Sequence, residues 1–379
     1  MSSSNSNGAP AGSDSRQREL AVPPRNRQWR VARRPEAGEP VGAHNFEFGE
    51  AGVPRAADGE ILVRTLLLGT SPAQRSYITS GVGMHAKLRI GDVMRGRGLG
   101  LVVESRHADF APGDIVNASL GWQDYAVLQP TGATGTILDI YKVPDPQTPL
   151  SVHLGIIGSA GLTGYFGLRA IAQAAAGDRV LISAAAGGVG SAAGQIAKVL
   201  GCEVVGLAGS DDKCRWLVDY VGYDAAINYR TEPLDERLTA LFPDGADVYF
   251  DNVGGDILNT ALDHLALKAR VVICGLIATD YAPGPRRGPA NYTRLLRKRA
   301  RMEGFFVQDH VADFPRAESQ LRTWYRDGRL KPVEDVSAGL ETMPDCLGSL
   351  FAGTNRGVRI CEVAALPDGA QVRSGPPVS

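Results

Sequence analysis

Arg179-Val-Leu-Ile-Ser-Ala-Ala-Ala-Gly-Gly-Val-Gly-Ser-Ala-Ala-Gly-Gln-Ile-Ala-Lys-Val-Leu-Gly201 is the stretch whose reading decides the fold. Arg179–Ser183 is a short apolar strand. The run from Ser191 is a helix, and Gly201 is its C-terminal stop. Between them, Ala184-Ala-Ala-Gly187-Gly-Val-Gly190 is a variant of Gly-x-Gly-x-x-Gly with alanine at the early position. Gly187 lets the backbone turn tightly. Gly190 and Gly194, one helical turn apart, let the helix approach the strand. The N–H groups that open such a helix face a pyrophosphate. A glycine-rich turn alone is weak. With a strand before it, a helix after it and a second strand about 20 residues on, it reads as a dinucleotide site.

Downstream the texture repeats. Glu203–Ala208 is the second strand, Ala225–Tyr229 the third, Ala246–Asn252 the fourth and Arg270–Gly275 the fifth, with Met302–Val307 as a sixth. Helices are expected at Asp211–Val221, opened by acids that suit its positive end, near Leu234–Leu241, and at Asp256–Leu267. Buried strands spaced by helices make an α/β fold with a parallel, doubly wound sheet over 151–319. Upstream, residues 21–150 hold short strands punctuated by Gly, Pro and Asp, which read as a mostly antiparallel β domain. Near the end lie a helix (Ala317–Asp327), a turn (Pro332–Glu334) and one strand, Val358–Val363. A single strand cannot stand alone, so 320–366 is expected to return to the β domain and make it discontinuous. Residues 1–20 read as a disordered tail and 367–379 as a frayed one.

The composition removes several function classes. The chain has 379 residues, 40 Lys+Arg and 41 Asp+Glu, a net charge of -1. That balance supplies no field for nucleic acid or an acidic membrane. The basic run Arg294–Arg301 reads as a solvated helical face. Two uncharged stretches, Pro149–Leu168 and Val180–Ala197, are broken by small and polar residues, unlike a spanning helix. Met1–Asp14 lacks the apolar core of a signal peptide, which favours the cytoplasm. The five cysteines all follow residue 200 without a Cys-x-x-Cys pair, so they read as reduced, structural thiols. With no cysteine in the first 200 residues and isolated histidines, no metal site is expected. Hydrolase and Walker motifs are missing, and Ser210-x-x-Lys213 stands without its partner motifs.

The end of the second strand decides between the two nicotinamide cofactors. An acid there commonly holds the ribose 2′-OH of NAD. Here Ala208-Gly209-Ser210 leaves room, and Lys213 supplies charge for a 2′-phosphate, which favours NADPH. Asp211 and Asp212 argue the other way.

Several motifs go further. Ser183–Ser191, Gln195-Ile-Ala-Lys, Gly201–Ser210, Asp212-Lys-Cys, Val248-Tyr-Phe-Asp-Asn-Val-Gly-Gly, Ile273-Cys-Gly and Arg301-Met-Glu-Gly-Phe are joined by Asn26-Arg-Gln-Trp and Gly121-Trp-Gln-Asp-Tyr-Ala. Together they resemble the zinc-free medium-chain dehydrogenase/reductases. The nearest group is the prostaglandin reductases, alkenal double-bond reductases and curcumin reductase-like enzymes. The resemblance runs from about Arg25 to Val363. It implies a GroES-like catalytic domain, an inserted Rossmann domain, and a homodimer. It implies NADPH-dependent reduction of the C=C bond of an α,β-unsaturated ketone or aldehyde, with hydride reaching the β-carbon. Gly187, Gly188, Val189 and Gly190 match the pyrophosphate turn, and Lys213 and Tyr229 the 2′-phosphate positions. Asn252 matches the asparagine at the cofactor. Cys274, Gly275, Thr279 and Tyr281 match one loop at the nicotinamide end. Phe305, Phe306 and Val307 match another, and Thr163 lies near them. Asn355 matches a late Asn-x-Gly motif. Tyr281, Tyr77 and Tyr249 are the candidate proton donors. The chain departs from the family pattern at Ser71-Pro-Ala-Gln-Arg75, at Asp280 and at Val358, where a lysine is common. A quinone reductase and a non-catalytic NADPH-binding relative are the competing readings.

Overall fold

The computed structural model describes residues 20, 22–79, 86–130, 140–145, 148–278 and 288–372. The first strands are β1 (Arg25–Val31), β2 (Phe46–Gly52), β3 (Ile61–Gly69), β4 (Arg97–Ser105), β5 (Ile115–Ser119), β6 (Tyr125–Leu128) and β7 (Tyr141–Lys142). Next come β8 (Arg179–Ile182), β9 (Glu203–Ala208), β10 (Ala225–Asn228), β11 (Ala246–Asp251), β12 (Leu265–Ile273) and β13 (Arg301–Gly304), then β14 (Glu334–Ala338) and β15 (Val358–Glu362).

β8–β13 form one parallel sheet in the order β10-β9-β8-β11-β12-β13. Alternation along β8 explains why both faces are covered. Val180 and Ile182 enter one core with Ile196, Phe250 and Leu321, while Leu181 enters another with Val205, Leu207 and Ile227. Strand order reverses between β8 and β11, and the crevice beyond their C-terminal ends is where such a sheet binds ligands. The second large sheet runs β14-β15-β3-β4-β5-β7, with β6 also on β3. The late strand β15 pairs antiparallel with β3, Cys361 opposite Leu68. β1 and β2 form a separate hairpin.

Several expected elements differ. The helix Gly255–Asp263 stops four residues early. His264 leaves helical geometry (φ -104, ψ 23), and Leu265 pairs with Ala246. Leu265 and Ala266 are buried in the sheet, and an irregularity with Lys268 at φ 63 lies between them and the regular pairing. Leucines at these spacings suit either a helix or a buried strand. β13 ends at Gly304. The expected turn at Pro332–Glu334 runs straight into β14, which lies parallel to β15. The helix Met343–Ala352 was not foreseen. Residues 367–372 are not frayed: Leu150 N–H donates to Gln371 O at 2.9 Å, and Ala370 and Val372 pack on a core.

Candidate cofactor site

The helix Gly188–Val199 begins at the switch point with no side-chain cap. Its first N–H groups are therefore available to a ligand. Ala184, just before the motif's early position, holds φ 46, a left-handed conformation that glycine adopts without strain. A Cβ on Gly190 would stand 2.3 Å from Ala184 O and 2.7 Å from Ala185 Cα, so only glycine permits this approach of helix to strand. Gly194 has a different reason from the expected one. Its missing Cβ makes room for the ring of Tyr223, whose hydroxyl donates to Gly190 O at 2.8 Å.

Both large sheets meet at this turn. Gly187 bridges Gly357, and Gly357 N–H donates to Ala186 O at 2.7 Å. Asn355 is buried, and its Nδ2 donates to Gly357 O at 3.0 Å, which fixes that loop. The two motifs, far apart in the chain, thus form one wall.

Across the crevice, Ser183 Oγ donates to Asp251 Oδ1 at 2.9 Å, and Asn252 Nδ2 donates to Ser183 O at 2.8 Å. The enclosed Asp251 carboxylate also accepts from Val253 N–H and Gly254 N–H, each at 3.0 Å. Tyr249 is fully buried and its hydroxyl donates to Asp251 at 2.8 Å. That geometry makes Tyr249 a core hydrogen-bonding residue and removes it from the proton donors. Cys274 N–H and Gly275 N–H both donate to Asp251 O. Burial, then Asp251, pushes the Cys274 thiol up to about 12, so it is no nucleophile at neutral pH.

Beyond the end of β9 lies a cluster of cations. Lys213 Nζ donates to Gly353 O at 2.8 Å. Burial, then Arg356 and Arg230, pushes Lys213 down to about 8. The Tyr229 hydroxyl lies over Gly209, 3.1 Å from where a Cβ would stand, and Arg230 lies 5.9 Å over the Tyr229 ring. The aspartates that argued for NAD are engaged elsewhere: Asn228 Nδ2 donates to Asp211 Oδ1 at 2.6 Å, and Asp212 pairs with Arg215. Three crowded cations beside a tyrosine, with the nearby acids turned to other partners, fit a phosphate dianion. Arg230 and Arg356 escaped the sequence reading. Only the fold brings them to Lys213, although Arg356 sits inside the Asn-x-Gly motif.

The residues expected at the nicotinamide end are less gathered. Thr163 Oγ1 donates to Ser159 O at 2.8 Å, on the helix Ser159–Phe166. Gly164 of that helix abuts Ala193 of the glycine-turn helix. Phe305 packs over Gly167, Val307 is in the core, and only Phe306 projects, 57% exposed. Tyr77 is half-buried under Arg95, and burial raises its phenol. Thr279 and Tyr281 lie outside the described residues.

Two family models match this chain: the N-terminal domain of oxidoreductase over residues 27–135, and zinc-binding dehydrogenase over residues 188–323. NADPH-dependent curcumin reductase of Escherichia coli is 36% identical over 346 residues, 90% of this chain and 97% of the relative. The chain belongs to the medium-chain dehydrogenase/reductase family.

Other relatives place it in the zinc-free group of that family. Mouse prostaglandin reductase 1 is 39% identical, covering 83% of this chain and 93% of its own. Tobacco 2-alkenal reductase (NADP(+)-dependent) is 37% identical, covering 82% and 89%. The crystal structure of CurA from Vibrio vulnificus in complex with NADPH superposes with a TM-score of 0.82 at 32% identity, over 90% of this chain and all of that one. This medium-chain dehydrogenase/reductase is thus an NADPH-dependent reductase. The second model's description names zinc. Among the described residues, no group of three His, Cys, Asp or Glu side chains gathers to hold a metal ion. No helix among them is long and apolar enough to cross a membrane.

Proposed function

We propose that the enzyme reduces the carbon–carbon double bond of α,β-unsaturated ketones or aldehydes. The observation that carries this reading is the similarity across nearly the whole chain to reductases named for curcumin, prostaglandins and 2-alkenals. Bound NADPH supplies a hydride for the β-carbon. Gly187, Gly188, Val189 and Gly190 hold the pyrophosphate on backbone N–H groups. Lys213 and Tyr229, joined by Arg230 and Arg356, hold the 2′-phosphate. Asn252, Cys274, Gly275 and Asn355 line the path between the phosphates and the nicotinamide. Thr163, Phe305 and Phe306 border the reaction end, with Val307 as support behind them; Thr279 is carried over from the family resemblance alone. Tyr281 and Tyr77 are the candidates to place a proton on the α-carbon. Burial raises the Tyr77 phenol, so it is protonated at neutral pH. Much of the rate would come from holding donor and acceptor in line.

Absorbance-monitored NADPH oxidation tests the reading against an alkenal, an aryl enone and a quinone, with an alcohol and NADP⁺ as the reverse arm. Turnover of the alkenal or enone to a saturated carbonyl product is expected. Activity on the quinone or alcohol alone would overturn it. Tyr281→Phe should lower turnover and leave NADPH affinity intact; unchanged turnover would clear Tyr281.

The same reading extends to assembly. Among the described residues strand β13 is a sheet edge with all four residues exposed, and Leu296, 81% exposed, and Phe306 flank it in the chain. A second copy could continue the sheet there as a homodimer, and light scattering on the purified chain would count the copies. Residues 21–150 and 320–366 form the GroES-like catalytic domain, supported by the β15–β3 pairing, with 151–319 as the NADP-binding domain. Five unpaired cysteines are in keeping with the cytoplasm.

A further inference from the structure

Cys346 and Cys361 lie outside the cofactor contacts but at the two ends of the segment that carries them. Cys346 is on the helix Met343–Ala352 and Cys361 on β15, and both are fully buried. Residues 347–360 between them include Gly353, which accepts from Lys213, and Asn355, Arg356 and Gly357. The thiols share a polar pocket. Ser337 Oγ is 3.0 Å from Cys346 Sγ, Thr342 Oγ1 is 3.6 Å from each sulfur, and the Cys361 thiol donates to Gly339 O at 3.1 Å.

The Thr342 hydroxyl thus touches both sulfurs. Each thiol is the largest influence on the other's proton: Cys346 is held below the usual thiol range and Cys361 is driven above it. Ser337, Thr342 and Arg359 add to the lowering of Cys346, against burial. The other cysteines differ. Burial pushes Cys202 and Cys214 up to about 11 and Cys274 up to about 12, which keeps them as unreactive thiols.

We propose that Cys346 and Cys361 form an oxidative modification site, in which a hydroperoxide closes an intrachain disulfide that clamps the helix Met343–Ala352 to β15 and weakens NADPH binding through the loop 353–357. In the first step the Cys346 thiolate attacks the peroxide O–O bond. An S–O bond forms, and hydrogen peroxide leaves its other oxygen as water. The Cys361 sulfur then displaces the sulfenic oxygen, which leaves as a second water, and the S–S bond forms. The two sulfurs lose two electrons, the peroxide gains them, and both thiol protons end in water. Closing the bond draws the sulfurs to about 2 Å apart, so helix and strand must move together. Their shared loop holds Lys213 on one side and the glycine turn on the other, and it shifts with them. The effect on the cofactor rests on the placement of the 2′-phosphate proposed above.

The reduced full-length chain is treated with hydrogen peroxide, remaining thiols are blocked, and the digest is analysed by mass spectrometry without reduction. A peptide linking Cys346 to Cys361 is expected. NADPH affinity, read by fluorescence titration, should weaken at least about fivefold, the low end of ordinary coupling between sites, and recover with dithiothreitol. Treated Cys361→Ser should keep its affinity and show a trappable sulfenic acid at Cys346; Cys361→Ala serves if that variant folds poorly. Oxidation at the other cysteines with no linked peptide overturns the proposal, and so does a linked peptide with unchanged affinity. Failure of the reduced chain to bind NADPH overturns the cofactor reading instead, and the linked peptide still judges the thiol step.

Discussion

The proposed phosphate end of the site and its proposed reaction end are built differently. At the expected phosphate end, three of the groups sit at neighbouring strand ends, and the segment 353–357 closes on them from afar. A glycine turn follows β8, Lys213 lies on the first helical turn after β9, and Tyr229 follows β10. Each sits just beyond the C-terminal end of a parallel strand, where a doubly wound sheet gathers its ligand groups. The reaction end draws on Tyr77 from the helix Ala73–Thr79, on Thr163 and on the segment after β13. No one element collects them. A parallel sheet therefore fixes cofactor chemistry at predictable positions, while substrate chemistry depends on how loops from several elements meet.

That contrast can be tested from its strongest point outward. Gly190→Val should have the largest effect, because its first added carbon already lies 2.3 Å from Ala184 O. Overpacking of this kind costs about 1–3 kcal/mol or more, and the turn must open. Calorimetry should show a lower Tm, and titration should find NADPH binding lost. Retained binding would show that the turn is not the pyrophosphate cradle.

Lys213→Ala comes next. Loss of a charge-assisted contact is worth about 1.5–3 kcal/mol, or roughly 10- to 100-fold in NADPH affinity, with NADH hardly changed. An equal loss for both would remove Lys213 from the 2′-phosphate. The pH profile sharpens this test. Free Lys213 loses its proton near pH 8, and a bound dianion would hold that proton. NADPH affinity should therefore be level between about pH 7 and 8, where the phosphate is a dianion, and fall above it, and Lys213→Ala should abolish the fall. The sign for stability is the reverse of an ion-paired lysine. A folded value below the ordinary 10.5 means folding is penalised below about pH 8, and the penalty fades as pH rises toward 10.5.

Arg356→Ala should be milder, about three- to tenfold for NADPH. It should also raise the Lys213 value, since Arg356 is one cause of its lowering. A shift of the pH break above 8 would be the signature. Tyr249→Phe should have the smallest effect on function. It removes one hydrogen bond to the Asp251 carboxylate, a cost of about 1.5–3 kcal/mol in stability, with turnover unchanged. A large fall in turnover would return Tyr249 to the reaction.

Legibility follows the same division. The strand–turn–helix at Arg179–Gly201 was readable because its contacts are local: apolar strand, glycine turn, glycine stop. Lys213 was a candidate because it follows a strand end, and Tyr229 was one only through the family resemblance. Arg230 and Arg356 were not, because a surface arginine looks the same whether or not the fold brings a lysine beside it. Asp211 and Asp212 misled for the opposite reason, since nothing in the sequence shows that Asn228 and Arg215 engage them. Tyr249 alternates with its strand neighbours like any core residue, and its commitment to Asp251 becomes visible only in three dimensions. The boundary at His264 was missed because Leu258, Leu262 and Leu265 suit a helix and a buried strand alike.

By itself the sequence determined the parallel sheet, the glycine turn and the preference for a phosphorylated cofactor, because periodicity and short-range turn chemistry suffice for each. Tertiary structure alone decided that β15 crosses back to β3, and that Gly357 closes on Gly187. It also decided that three cations share one corner and that Cys346 and Cys361 meet at one threonine hydroxyl in a polar pocket. Those outcomes depend on contacts between residues far apart in the chain, which only the packing of the two sheets brings together.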